Sequence, residues 1–274
     1  MSPPHRSLNA AELETGVCVT TPRPASAARS IAALEIFVVG MSARTVVPMR
    51  ALLIANASDA DGGFVAERFR SHGFSFVECH RESVADWPTL EGHDLVLTLG
   101  SEWSVYWPHV ADSVAAEADV IRGAHTAGVP IYGICYGNQI MAHALGGTVE
   151  RAPEPEIGWY QVTSDAPDAI AEGPWMQWHY DVVTVPTDSV ELARSVVGPQ
   201  AWTMGRSFCT QFHPEATETM IRRWALSEGG SAELLKYGFK PDQLIEQTRS
   251  NVAESQPAAE RLVDWFLDQV AGAG

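Results

Sequence analysis

The sequence predicts an α/β fold: a doubly wound, mostly parallel sheet with added antiparallel strands and a C-terminal helical appendage. Three observations carry this. From Met49 to Gly147, apolar runs of strand length alternate with amphipathic runs of helix length. Short strand-like runs separated by turn residues come next, up to the "FHP" at Phe212. Beyond it the pattern is helical to the end.

The first half reads in order. "RALLIANA" from Arg50 is a nearly continuous apolar run, as expected of a parallel strand buried on both faces. "GGFVAERFRSHG" is helical and closes at Gly73, where glycine suits the left-handed residue that ends a helix. "FSFVECH" and "HDLVLTLG" are strands, the latter ending at Gly100. "VADSVAAEADVIRGAHTAG" is a long helix with Gly128 after it, "VPIYGI" the next buried strand and "NQIMAHALGG" the next helix. Strand–helix alternation of this kind places helices on both faces of one sheet. After Gly147 the strand candidates are "TVERA", "GWYQVTSD", "WMQWHYDVVTVP", "VELARSVV", "QAWTMG" and "SFCTQFHP". The helices after them are "ATETMIRRWALSEG", "SAELLKYG", "PDQLIEQTRSNVAES" and "PAAERLVDWFLDQV".

Residues 1–48 are expected to be a poorly ordered N-terminal extension. They are rich in Pro, Ser, Ala and Thr, and Glu35 interrupts the one apolar run, with no clear secretory signal. Residues 49–228 are expected to form the main domain, and residues 229–274 a helical extension packed on it.

With 18 Lys and Arg against 34 Asp and Glu, the formal charge of −16 argues against a nucleic-acid or anionic-membrane partner. No apolar run reaches the roughly 20 residues of a membrane span. The four cysteines, Cys18, Cys79, Cys135 and Cys209, are widely spaced, which fits neither a disulfide framework nor a zinc site. A cytoplasmic setting, with no metal or cofactor, is therefore expected.

The chemistry centres on Gly133-Ile134-Cys135-Tyr136-Gly137, which follows a strand and opens a helix. A G-x-C-x-G sequence there matches the sharp turn that lifts a nucleophile above an α/β sheet. The helix dipole favours a thiolate, and the free N–H groups of the first turn suit an oxyanion. A small buried core cysteine is the competing reading of the bare motif. A base must come from elsewhere. His143, His179 and His213 are the candidates; His213 has a carboxylate two residues on, Glu215, and on an extended segment both side chains point the same way. Such a carboxylate can orient an imidazole that activates a thiol.

Together, "GICYGNQIMAHALGG" and "FCTQFHPEAT" resemble class I glutamine amidotransferases, in particular the amidotransferase domain of GMP synthetase. The resemblance runs from about Met49 to Ala225 and implies a flavodoxin-like sheet. It implies Cys135 as nucleophile, His213 as general base and acid, and Glu215 as the residue that orients it. The Tyr136 N–H matches one oxyanion donor. The other lies in the turn after "DLVLTLG", where the family has Gly-Gly-Pro and this chain has Gly100-Ser101-Glu102. Ser104-Val105-Tyr106 matches the family segment just after that turn. Gln139 matches a substrate-contacting glutamine, and His179-Tyr180-Asp181 stands where the family has His-Gly-Asp beside the substrate pocket. Glu156-Ile157-Gly158 resembles a segment near the same pocket.

The implied substrate is glutamine, attacked at its side-chain amide. Alternatives are a γ-glutamyl peptide or a non-catalytic regulator that retains the fold. The residues after Glu215 are too few for the ATP-dependent synthetase domain, and no phosphate-binding G-x-x-x-x-G-K-S/T loop is present. A separate synthetase subunit is therefore an expected partner. Peptide mapping after brief exposure to a glutamine-like chloroketone should find the adduct on Cys135 alone; a main adduct on another cysteine would remove it as the nucleophile.

Overall fold

The computed structural model describes residues 49–272, so the expectation for residues 1–48 lies outside the described residues. The chain runs β1 (Met49–Ala55), α1 (Gly63–Ser71), β2 (Phe74–His80), β3 (Leu95–Thr98), α2 (Ala111–Ala127), β4 (Ile131–Ile134) and α3 (Tyr136–Leu145). It continues as β5 (Thr148–Tyr160), β6 (Thr163–Ser164), β7 (Trp175–Thr184), β8 (Val190–Arg194), β9 (Pro199–Met204) and β10 (Ser207–Thr210). Helices α4 (Glu218–Leu226), α5 (Glu228–Lys236) and α6 (Pro241–Trp265) complete it, and a wider turn at Phe266–Ala271 extends α6.

The main sheet has the order β2-β1-β3-β4-β10-β9-β8-β6. The first five strands in that order pair in parallel, and β9, β8 and β6 extend the sheet antiparallel. Alternation along β1 divides its side chains between two cores. Ala51, Leu53 and Ala55 join one with Phe69 of α1 and Leu262 of α6; Leu52 and Ile54 join the other with Ile121 of α2 and Ile140 of α3. This two-sided burial is why the parallel strands lack polar alternation.

Three strand candidates leave the main sheet, wholly or in part. "TVERA" and "GWY" belong to the single long strand β5, which pairs antiparallel with β7 and has a register shift between Arg151 and Glu156. That two-stranded sheet carries Ile157 and Met176 against Ile221 of α4 and Leu244 of α6, in a third apolar cluster. The last two helices expected from sequence are one: α6 runs through Pro257. Proline removes one N–H and frees the Ala253 carbonyl. Both residues lie on the exposed face, where water can satisfy that carbonyl. On the opposite face Ser255, Ala258, Ala259 and Leu262 stay buried, so packing favours an unbroken helix.

Helix α6 carries Phe266 into the first core. Its fully buried ring lies 5.1 Å from Tyr132, 5.9 Å from Phe69 and 6.1 Å from Phe208, centroid to centroid. Phe266→Ala should therefore cost about 3–5 kcal/mol in urea unfolding, as for other buried aromatics truncated to alanine. A cost below about 1 kcal/mol would mean that the C-terminal segment contributes little to this core.

Candidate active site

The carboxyl ends of β3, β4 and β10 lie side by side in the sheet, and the residues just beyond them meet at one point. Cys135 joins β4 to α3 at φ 54° and ψ −103°, and it is the one non-glycine residue with positive φ among the described residues. A β-carbon on Gly137 would lie 2.2 Å from the Thr98 carbonyl oxygen, so only glycine lets the turn come this close to β3. The Cys135 N–H donates to the Thr210 carbonyl at 2.8 Å and anchors the turn to β10. Its thiol lies 3.7 Å from the Trp178 carbonyl.

His213 follows β10 and is fixed by its own N–H, which donates to the Met176 carbonyl of β7 at 2.8 Å. Its Nδ1 lies 2.7 Å from Glu215 Oε1. Its Nε2 has no hydrogen-bond partner among the described residues outside the candidate triad. Cys135, His213 and Glu215 are only 4%, 5% and 2% exposed, so their charges interact with little screening by water. Burial disfavours the charged imidazole, but the negative charges of Glu215 and Cys135 outweigh it and hold its pKa well above the usual histidine range. By contrast, burial and the charge of Glu117 push the Cys79 thiol up to about 11, and burial pushes Cys209 well up, so neither is activated.

Gly100 and Ser101, in the turn after β3, line the same cavity. A β-carbon on Gly100 would lie 3.2 Å from His213 Cε1 and 3.7 Å from Cys135 Cβ, so this backbone lies directly against both candidate groups. Tyr136 begins α3, and the N–H groups of Tyr136, Gly137 and Asn138 have no intrahelical partner. Gln139, on the same turn, lines the cavity and donates its N–H to the Cys135 carbonyl at 3.1 Å.

His179 and Asp181 also line the cavity, but their polar atoms are already engaged. His179 Nε2 lies 2.9 Å from Glu156 Oε2, and its Nδ1 lies 3.0 Å from the Asp181 carbonyl. Both ring nitrogens of His179 are thus engaged within the protein. Asp181 accepts from the Ser104 hydroxyl at 2.6 Å and the Tyr106 hydroxyl at 2.8 Å, which ties the stretch after Gly100 to β7. Tyr180 leans on Tyr237 at 5.5 Å and carries the Arg151 guanidinium 4.5 Å above its ring.

The cavity measures about 720 Å³. Trp178 and Trp224 wall it near the candidate triad, with the Trp224 ring 5.2 Å from His213. Helix α5 supplies a further wall through Gly229, Gly230, Glu233 and Lys236.

The sequence reading missed a buried group beneath the Gly100 turn. Arg81 and Glu117 have fully buried side chains paired at 2.9 Å. One signal was present. On α2, Glu117 falls on the stripe formed by Val114, Ala118 and Ile121, and a carboxylate on an apolar stripe requires a buried partner. The aromatic walls carried no such signal, because tryptophans in strand and helix patterns read as core.

Comparison with known proteins places this geometry in context. Residues 108–227 match the family model of glutamine amidotransferase class-I. The glutamine-hydrolysing GMP synthase of Acetivibrio thermocellus is 40% identical over 107 residues, covering 36% of this chain and 21% of that protein. That of Edwardsiella ictaluri is 35% identical over 142 residues, covering 44% and 26%. The chain spans about a quarter of the length of these curated relatives. A solved glutamine amidotransferase from Thermotoga maritima superposes with a TM-score of 0.72 at 26% identity, covering 81% of this chain and 99% of that one. One from Methylobacillus flagellatus gives 0.68 at 22% identity, covering 81% and 95%, a likeness of fold.

The raised pKa of His213 has a consequence for stability. Its charged form is favoured in the folded state, so the contribution is fully present below about pH 6.5, the unfolded imidazole's range, and is lost as pH rises through the higher folded value. Glu215→Gln should thus cost about 2 kcal/mol between pH 5 and 6.5, with the difference from the native chain narrowing at higher pH. Urea unfolding across that range checks it; a cost that grew with pH would show that the charged imidazole is not what Glu215 stabilises.

Proposed function

Given the match of residues 108–227 to a class-I glutamine amidotransferase domain, we propose that the chain hydrolyses the side-chain amide of glutamine through Cys135, His213 and Glu215. The observation that carries the reading is one juxtaposition. A cysteine held on a strained turn stands beside a buried histidine, whose far nitrogen lies 2.7 Å from a carboxylate.

The chemistry uses these groups in turn. The Cys135 sulfur adds to the γ-carbonyl carbon, and the displaced electron pair collects on oxygen beside the backbone N–H groups of Tyr136 and the Gly100–Ser101 turn. His213 takes up the thiol proton and delivers it to the departing nitrogen as the carbon–nitrogen bond breaks. A glutamyl thioester and ammonia result. Water then attacks the thioester with His213 as base, releasing glutamate and restoring the thiol. Glu215 keeps the imidazole in the tautomer and orientation that both transfers need.

The size of the cavity favours a second reading. Pockets of about 300–1,000 Å³ hold ligands considerably larger than free glutamine. At about 720 Å³, with walls from Trp178, Tyr180 and α5, this cavity has room for a γ-glutamyl peptide. The similarity to GMP synthases favours a variant of the first reading, in which ammonia passes to a separate synthetase subunit.

Steady-state ammonia release from glutamine, set against amine release from γ-glutamyl dipeptides, separates these readings. We expect turnover of at least one substrate by the native chain. His213→Ala should lower kcat about a hundredfold further than Glu215→Ala, since loss of the base removes both proton transfers. Equal losses would mean that another group serves as base. Brisk turnover without a partner would overturn the subunit variant, and no turnover of either substrate class would overturn hydrolysis itself.

A further inference from the structure

We infer that Arg81, held by Glu117, is the positioning residue that aims the Gly100–Ser101 backbone at the oxyanion; this rests on the hydrolytic reading above. Arg81 lies just after β2, outside every motif that suggested the chemistry. Its side chain is fully buried, and so is that of Glu117. The guanidinium donates to Glu117 through Nε at 2.9 Å and through a terminal nitrogen at 3.1 Å. Its remaining hydrogens reach two consecutive main-chain carbonyls, Leu99 at 2.9 Å and Gly100 at 3.0 Å, and the side-chain oxygens of Thr98 at 3.1 Å and Asn56 at 3.2 Å.

The two bonds to main-chain carbonyls determine where the amides of the turn point. Across a planar trans peptide, the carbonyl oxygen and the amide hydrogen lie on opposite sides. With the Leu99 and Gly100 oxygens drawn inward to Arg81, the N–H groups of Gly100 and Ser101 face the other way. Both residues line the cavity, and neither N–H has a hydrogen-bond partner among the described residues. Donors aimed before the reaction begins are what stabilise a developing oxyanion.

The same guanidinium also meets the first residue of α3. It sits 4.5 Å from the centre of the Tyr136 ring, and Tyr136 carries the other candidate N–H. One buried cation thus sets the spacing between two donors that come from different strand ends. It also accounts for the departure at Ser101. The Ser101 hydroxyl donates to Asn56 Oδ1 at 2.6 Å and accepts from the Trp103 N–H at 3.1 Å, and Asn56 Oδ1 accepts from Arg81 at 3.2 Å. Where the related family relies on glycine and proline to shape this turn, here a side-chain network does so. Lysine cannot replace the arginine, because a single ammonium cannot span two carbonyls, a carboxylate and an aromatic face in this planar arrangement.

The test separates aiming from general support. Alkylation of Cys135 by iodoacetamide is a direct displacement that builds no oxyanion, whereas amide hydrolysis does. In the double variant Arg81→Met/Glu117→Leu, an apolar pair replaces the ion pair, an exchange that buried pairs often tolerate without loss of stability. We expect kcat on the preferred γ-glutamyl substrate to fall about a hundredfold with KM changed less than about threefold. The alkylation rate should stay within about threefold of native. Arg81→Lys should give the same split, and it reads the inference if the double variant fails to fold. Retained kcat in either variant, or alkylation and hydrolysis falling together, would overturn the inference. A native chain without turnover would overturn the hydrolytic reading and this inference with it.

Discussion

Cys135 sits at φ 54° and ψ −103°, a conformation that a residue with a β-carbon keeps only where its surroundings over-determine it. Three constraints act here. Strand β4 is locked between β3 and β10, and the Cys135 N–H is tied to the Thr210 carbonyl. The Thr98 carbonyl presses against Gly137, which sets how closely α3 approaches the sheet. Ile140 and Met141 then bury the helix in the second core. None of these contacts involves the thiol. The sheet and helix hold the backbone, and the sulfur is free to point where the other strand ends deliver His213 and the Gly100 turn.

Around that turn the molecule buries several ionisable side chains, each hydrogen-bonded to a partner. Arg81 is matched by Glu117, His213 by Glu215, and His179 by Glu156, which also accepts from Ser195 and Gln200. Buried ion pairs are poor sources of stability, because desolvation offsets most of their attraction. Their concentration beside one cavity therefore needs a reason other than holding the fold. The apolar clusters on the two faces of the sheet serve that purpose, and the charges fix the directions of dipoles and donors.

The order of parallel strands was legible because two-sided burial leaves its mark as uninterrupted apolar runs. The candidate triad was legible because its members sit on short, unusual sequences: glycines around Cys135, and a carboxylate two residues after His213. The pairing of β5 with β7 outside the main sheet was not, since a strand run carries no record of its partner. The continuity of α6 through Pro257 was not either, because it depends on which face of the helix meets solvent. Glu117 was legible in principle and passed over, since a carboxylate on an apolar stripe is informative only once its partner is sought.

Helix α5 closes one side of the cavity with Gly229, Gly230, Glu233 and Lys236, while the groups that would do the chemistry all lie at the ends of sheet strands. Reactivity and fit thus reside in separate stretches of the chain. A substitution on α5 alters the room and charge of the cavity, and it leaves the Cys135 backbone and the Arg81 network untouched. On the proposed chemistry, the shape of the cavity can thus be varied within nine residues that include none of the candidate triad.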